Sequence, residues 1–419
     1  MNIRGASSKE SPTIQGPGSK ADAIFDLEPE FIALSGDEKT AYVSLQENNA
    51  IASVDIASGK VVSVKGLGLK DFSQPGNSLD LIKDGKIRLD NVPFYGMYMP
   101  DGIDSYTVGG KTYLFSANEG DATEWPTRVN AAKVKDLKAK LNPDSAAARF
   151  LAGKTEYDKV EAMAGVGTDS IYLYGGRSFS IWEAGSMSQV FDSGNDFEKI
   201  TAQRLPDYFN AGHNDTEKDA RSSKKGPEPE YVKVGQVGDR YLAFVGLERI
   251  GGIMTYDVTD PNRVSFVNYF NPRDFSKGLE TDTGPEGLEF IPAGISPTGY
   301  PLLLAANEVG GTVSVLQVNV SKVELDKKTL SLKAGGASAK LTATVTPSEG
   351  GSTGAVWTSS NPSVATVDAG GNVKPLRKGT AVISATTADG YAKAESVVTV
   401  ASSGSSGGDS GSGSGSGGS

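Results

Sequence analysis

GPEPEYVKVGQVGDRYLAFVGLERIGGIMTYDV, residues Gly226 to Val258, reads as a proline–acid opening, a short strand, a Gly turn and a β-rich strand. A third strand follows Glu248. The unit recurs as LEPEFIALSGDEKTAYVSLQENNAIASVDI (Leu27 to Ile56) and GPEGLEFIPAGISPTGYPLLLAANEVGGTVSVLQV (Gly284 to Val318). A looser copy is MPDGIDSYTVGGKTYLFSANEGD (Met99 to Asp121). In each copy an acid follows a proline: Glu30, Asp101, Glu228 or Glu230, and Glu286. A second carboxylate closes the next strand: Glu47, Glu119, Glu248 and Glu308. From Glu30, Asp101 and Glu230 the second acid lies 17 or 18 residues on, and from Glu286 it lies 22 residues on. A single small sheet cannot bury both of its faces, so units of this size imply a propeller or solenoid.

Composition agrees with an all-β chain. It has 52 Gly among 419 residues and 37% hydrophobic content, which suits many turns and several cores. The absence of Cys removes disulfides and thiolate metal sites, and one His (His213) argues against a histidine-based zinc site. A net charge of −10 turns the chain away from nucleic acid and toward cations. No apolar run is long enough to span a bilayer, and the first residues contain no signal-peptide core.

Along the chain, residues 1–25 read as a linker and 26–320 as a β-propeller, partial or complete, with about five blades visible. FIALS, TAYVSLQ, AIASVDI and KVVSVKGL form the first blade. SIYLYGG, SFSIWEA and SQVFDSG read as a blade of their own, lacking the proline–acid opening. The copy from Pro285 supplies three strands. AAKVKDLKAKL, SAAARFLAG and TEYDKVEAMAG, between Val129 and Val166, have helix formers at helical spacing and read as a small helical insertion. Residues 321–400, with short strands at regular spacing and Trp357, read as an Ig-like β-sandwich. Residues 401–419 are nearly all Gly and Ser and read as a flexible tether.

Asp26 to Val318 resembles the choice-of-anchor I family, extracellular bacterial β-propeller proteins. The likeness is carried by DLEPEFIALS, YGMYMPDGI, ANEGDA, GGRSFSIWEAG, KGPEPE, GLERIGGIMTYDVTDP and GPEGLEFI, in that order. Lys322 to Val400 resembles a bacterial Ig-like group 2 domain, carried by VWTSSNPSVATVD and KGTAVISATT. The resemblance implies a secreted or cell-surface location, with the Ig-like domain as spacer. Members usually carry blades before the DLEPE block, so it also implies a chain that begins inside the propeller. Phosphatase-like labels within the family, and a fold similar to calcium-dependent phytases, imply a possible hydrolase by analogy only.

Two rings of carboxylates at one channel mouth would suit Ca²⁺, a hard cation taking about six to eight oxygen ligands. The candidate ligands are Glu30, Glu47, Asp101, Glu119, Glu230, Glu248, Glu286 and Glu308. The alternative is that each acid caps backbone amides of its own blade. Arg177, Arg221 and Arg249, with Lys224 and Lys225, either fork onto a phosphate or carboxylate ligand or neutralise the acids. Asn118-Glu119 and Asn307-Glu308 could ligate or turn the chain. His213 sits in a polar loop and reads as solvated. Trp125 and Trp182 are core residues or sugar-stacking surfaces, and Gly404 to Gly408 match a nucleophile-elbow pattern only formally. The reading is a surface binding or adhesion module, calcium-stabilised and without an organic cofactor, facing a surface ligand or cell-envelope component. A metal-dependent phosphoesterase at the channel mouth is the alternative.

Overall fold

The computed structural model describes residues 27–125, 128–346, 353–388 and 390–403. The linker read at residues 1–25 and the tether from 404 onward, with its formal elbow match, lie outside the described residues, as does the side chain of Trp125. Strand outweighs helix, 43% to 8%, so the chain is all-β. It divides into two compact units, 1–236 with 241–318, and 237–240 with 319–419.

The first unit is built on a succession of antiparallel sheets, each in chain order, with smaller sheets between them, one of which contains a parallel pair. The first sheet runs Pro29–Leu34, Thr40–Leu45, Ala50–Asp55, Lys60–Gly66. The second takes Ile103–Val108 and Lys111–Ala117, then Phe179–Glu183 and Ser188–Asp192. Of the strands read as a separate blade, SFSIWEA and SQVFDSG therefore complete the second sheet, because the insertion between Ala117 and Phe179 parts its inner and outer halves. Tyr172–Leu173 of SIYLYGG instead pairs in parallel with Tyr95–Met97 in another sheet. Phe179 pairs with Ala117 and Glu183 with Tyr113, in unbroken register. The third sheet is Pro229–Val237, Arg240–Leu247, Ile253–Asp257 and Ser265–Phe270, and the fourth has three strands, Pro285–Ile291, Leu302–Asn307 and Thr312–Gln317.

The first strands of these sheets stand side by side. Ser105 Oγ donates to Leu34 O, Gly102 N donates to Glu230 O at 2.9 Å, and Lys233 Nζ reaches Glu289 at 3.0 Å. This succession is consistent with the blades of a propeller. Alternation along the strands fills the spaces between sheets. Ala33, Tyr42 and Ile51 meet Leu114 and Trp182, and Phe115 and Phe179 meet Val232, Val245 and Tyr256. Each such side chain, taken fully from water, contributes roughly 1.5–3 kcal/mol before chain entropy is counted. The first and fourth sheets face one another across a cavity of about 430 Å³ lined by Phe31, Glu286, Ala306 and Glu308.

Helix is scarcer in the insertion than the spacing suggests. Val134–Leu137 and Ala146–Leu151 are helical, the latter capped by Ser145 Oγ accepting from Ala148 N. TEYDKVEAMAG instead contains the strand Glu161–Met163, which pairs with Ala131–Lys133. That pairing buries Val160 and Ala162 with Phe94, Leu151 and Leu173, and Met163 with Met97, Met99 and Tyr174, and tertiary burial overrides helix propensity. A nine-residue helix, Asp196–Arg204, was not apparent from spacing.

The second unit is a sandwich. One sheet orders Thr329–Lys333, Lys393–Ala401, Gly379–Thr387 and Ala355–Ser359, the first pair parallel. Leu341, Val364, Val373, Ile383 and Val398 form its core, with Trp357 packed against them. No helix among the described residues is long and apolar enough to cross a membrane.

Candidate functional site: an acid-lined basin

In each sheet the first strand enters where the second strand leaves. Pro29 pairs with Leu45, placing Glu30 beside Glu47, and Pro285 pairs with Asn307, placing Glu286 beside Glu308. Asp101 N donates to Ala117 O at 3.0 Å, bringing Asp101 to Glu119. Glu248 N donates to Glu228 O and Glu308 N to Gly284 O, both at 2.8 Å. Because the first strands adjoin, all four ends open on one basin, and the eight acids named from sequence stand around it. Carboxylate oxygens of Asp101, Glu119 and Glu230 lie within 4.8 Å of one another, as do those of Glu119, Glu228 and Glu248. Ligand atoms of His213, Glu248 and Glu308 form a third such group.

The basin has a buried floor and an open rim. Asp101, Glu119, Glu228 and Glu248 are buried, whereas Glu30, Asp121, Glu286 and Glu308 are exposed. Burial pushes the Glu230 carboxyl up to about 12, helped by the charges of Glu119, Asp101 and Glu248. Burial likewise raises Glu119 to about 8, against Lys225, and Asp101 to about 6, against its bond to Glu230 and Lys225. Glu47 rises to about 8 through burial and through Glu28, and Glu30 and Glu286 rise as well. Oε2 of Glu230 is shut off from solvent without a hydrogen-bond donor among the described residues.

Glu228 behaves oppositely. Burial would raise it, but Lys225, Arg221 and Arg249 outweigh burial and hold its carboxyl well below the usual range. Its Oε2 stands 2.9 Å from Arg249 Nε and 3.1 Å from Lys225 Nζ, and its Oε1 accepts from Arg221 Nε at 2.8 Å. Its backbone sits at φ 52, in the left-handed region that costs a non-glycine about 1–3 kcal/mol, so three cations and a strained turn fix this one carboxylate. Of the two candidates in GPEPE, Glu230 enters the strand and lines the triad, and Glu228 anchors the cations.

The three arginines separate. Arg221 and Arg249 join the basin wall, each on a carboxylate. Arg177 does not reach it. Its guanidinium is buried, 2.9 Å from Glu198 Oε1, and donates to the carbonyls of Asp80, Ser222 and Lys224. Lys225 rather than Arg177 crosses to Glu119, at 2.5 Å, and to Asp121, at 3.4 Å. Lys224 stays outside, 3.9 Å from Glu161.

His213 is not solvated as its polar loop suggested. It is largely covered, its Nδ1 stands 2.7 Å from Glu248 Oε1, and its Nε2 stands 2.6 Å from Arg249 Nη1. Arg249 Nη1 stands 3.0 Å from Nδ1 as well, so the arginine covers both ring nitrogens. Asn118 and Asn307 turn inward to their own sheets, bonding Ser116, Ser178 and Ser180, and Ser314, respectively. Trp182 is core, with Nε1 donating to Ser116 Oγ at 2.8 Å. Gln46 was missed, and no spacing marks it: its amide donates to Glu119 Oε2 at 2.6 Å. Gly120 holds the second acid hairpin against the returning insertion, since a Cβ there would meet Gly175 N at 2.1 Å.

Comparison with known proteins places two domains on the chain. The choice-of-anchor I domain matches residues 3–261, and the bacterial Ig-like domain (group 2) matches residues 319–398. Gigasin-3a of Magallana gigas is 35% identical over 185 residues, covering 40% of this chain and 65% of that protein. A mesenchyme-specific cell surface glycoprotein of Strongylocentrotus purpuratus is 28% identical over 280 residues, covering 56% of this chain and 35% of its own length. An alpha-L-arabinofuranosidase of Bifidobacterium longum is 54% identical over 63 residues, 15% of this chain and 6% of that enzyme. The chain thus spans less than two thirds of each of these relatives.

Proposed function

This chain belongs to the choice-of-anchor I family, and on that premise we propose that it is a surface-associated extracellular binding module whose acid basin holds a divalent cation, calcium first. The Ig-like domain and the cell-surface name of the sea-urchin relative support the location. One observation carries the cation: the triad of Asp101, Glu119 and Glu230, where one Glu230 oxygen meets neither solvent nor a hydrogen-bond donor among the described residues and the carboxyls crowd each other toward protonation. Crowded carboxylates ionise together only when a cation sits among them.

The donors are hard oxygens alone, the set that favours Ca²⁺ over softer metals. Asp101, Glu119 and Glu230 would hold the ion, and it would supply an anchor for oxygen donors of a surface ligand. Around it, Lys225, Arg221 and Arg249 keep Glu228 ionised and fixed. With these cations committed to carboxylates and Arg177 buried elsewhere, a phosphate ester would find no clamp, so binding is favoured over hydrolysis. Thermal unfolding of the full chain with Ca²⁺, and again with EDTA, tests the reading. Calcium should raise the melting temperature, and an unchanged melting temperature would overturn it.

A further inference from the structure

The insertion between the second and third strands of the second sheet carries its own cavity, of about 380 Å³ and half enclosed. Its lining differs in kind from the acid basin. Leu137, Leu141, Met163 and Val166 give it an apolar surface, and Lys140 is the one charged side chain among the described residues that line it. Leu141 and Met163 are buried in the chain itself, so this surface is a continuation of packed core rather than a loose fold of loop. Lys140 is exposed and pairs with no carboxylate among the described residues.

The opposite wall is the loop Gly165-Val166-Gly167-Thr168. Gly165 has φ 77, a conformation glycine takes without strain. The backbone N–H groups of these four residues donate to no acceptor among the described residues. Asp169, the nearest acid in sequence, is held by Asn142 Nδ2 at 3.1 Å and is not part of the wall. A concave apolar surface with a few polar donors is the usual form of a small-molecule site. Here the one charge among the described lining residues is the Lys140 ammonium, and the unbonded amides of the 165–168 loop add donors that favour anions.

We propose that this cavity binds a small amphipathic anion, its apolar body against Leu137, Leu141, Met163 and Val166 and its anionic head between Lys140 and the Gly165–Thr168 amides. The proposal is independent of the cation basin, whose ligands are other residues.

The probes are 2-naphthoate and 2-naphthyl sulfate, with uncharged 2-naphthamide as control, titrated calorimetrically into the full chain. Both anions should bind, and the amide about tenfold more weakly or less, a difference of about 1.4 kcal/mol. Lys140→Glu should weaken the anions about tenfold and leave the amide unchanged. Val166→Trp, which fills the cavity from a partly exposed position, should remove binding of all three, while both variants keep the parent melting temperature. Amide binding equal to that of the anions, undiminished anion affinity in Lys140→Glu, or no binding of either anion at millimolar concentration would each overturn the proposal.

Discussion

Nζ of Lys225 stands 2.5 Å from Oε1 of Glu119, a contact that joins the third repeat to the second across the floor of the acid basin. The ammonium is almost fully buried, and although burial lowers its affinity for the proton, Glu228, Glu119 and Asp121 outweigh burial and hold it charged. It is therefore the hub of the inner charges. Replacing it with methionine keeps the length of the side chain and removes the charge, leaving the buried Glu228 carboxylate short of one of its three cations. Breaking a buried pair from one side costs about 3–5 kcal/mol. Urea unfolding of Lys225→Met at neutral pH in EDTA should show a loss of this size. Lys224→Met, whose ammonium is more exposed and farther from its partner, should change stability by less than about 1 kcal/mol.

Calcium binding follows from the triad and separates its members. Glu230 is pushed up to about 12 in the ion-free basin, so it is protonated at neutral pH and Glu230→Gln replaces one neutral group by another. This variant should keep the ion-free melting temperature within a few degrees and lose the calcium shift. In the parent chain, calcium at about a hundred times its dissociation constant should contribute about 2.7 kcal/mol. Equal calcium shifts in parent and variant would place the ion away from this triad.

The pH dependence has a definite sign. Glu47 and Glu119 rise from 4.5 to about 8 on folding, so between these values the folded chain binds more protons than the unfolded one. Stability from these groups is full below about 4.5 and is lost as pH rises toward 8. Glu228, held below the usual range, acts in the other direction, its contribution present at neutral pH and lost on acidification. With EDTA, urea midpoints should therefore fall from pH 5.5 to pH 8, a window in which Glu228 is already ionised. With saturating calcium the fall should flatten or reverse, since the ion takes the place of the protons. A flat profile in EDTA would contradict the burial of these carboxyls.

The acid basin was legible in the sequence because its members recur. A proline followed by an acid, and a carboxylate 17 or 18 residues later, mark the start of one strand and the end of its antiparallel partner, and the hairpin between them returns both to one end. The counter-ions were less legible. Lys225 and His213 lie in an irregular segment, between Phe209 and Pro229, whose polar composition reads as solvated loop. Only tertiary contacts with Glu119 and Glu248 show its inward turn. The boundaries of the second sheet were hidden for a different reason. Its outer strands lie more than sixty residues beyond its inner pair, across an insertion with a core of its own, and local periodicity carries no information about pairing at that distance. TEYDKVEAMAG shows the same limit, since its helix-forming residues are recruited into a strand by the partner Ala131–Lys133.

Arg177 offers the last prediction, because sequence placed it with the ligand-binding arginines and the structure holds it in the interior. Its side chain and that of Glu198 are both almost wholly buried, 2.9 Å apart, and Asn210 Nδ2 also donates to the same Glu198 oxygen at 2.8 Å. Its backbone lies at φ 49, which a non-glycine residue tolerates only where its surroundings over-determine it. Arg177→Met leaves Glu198 without its counter-charge and three carbonyls without a donor, and should cost about 3–5 kcal/mol in urea unfolding. Arg177→Met with Glu198→Gln removes both charges and should recover part of that loss, as a buried pair does when neither partner is left alone. In both variants, where they fold, the calcium shift should equal that of the parent. A diminished shift would bring Arg177 back to the basin, and an unchanged one would confine its role to holding the loop that carries Arg221 and Lys225 in place.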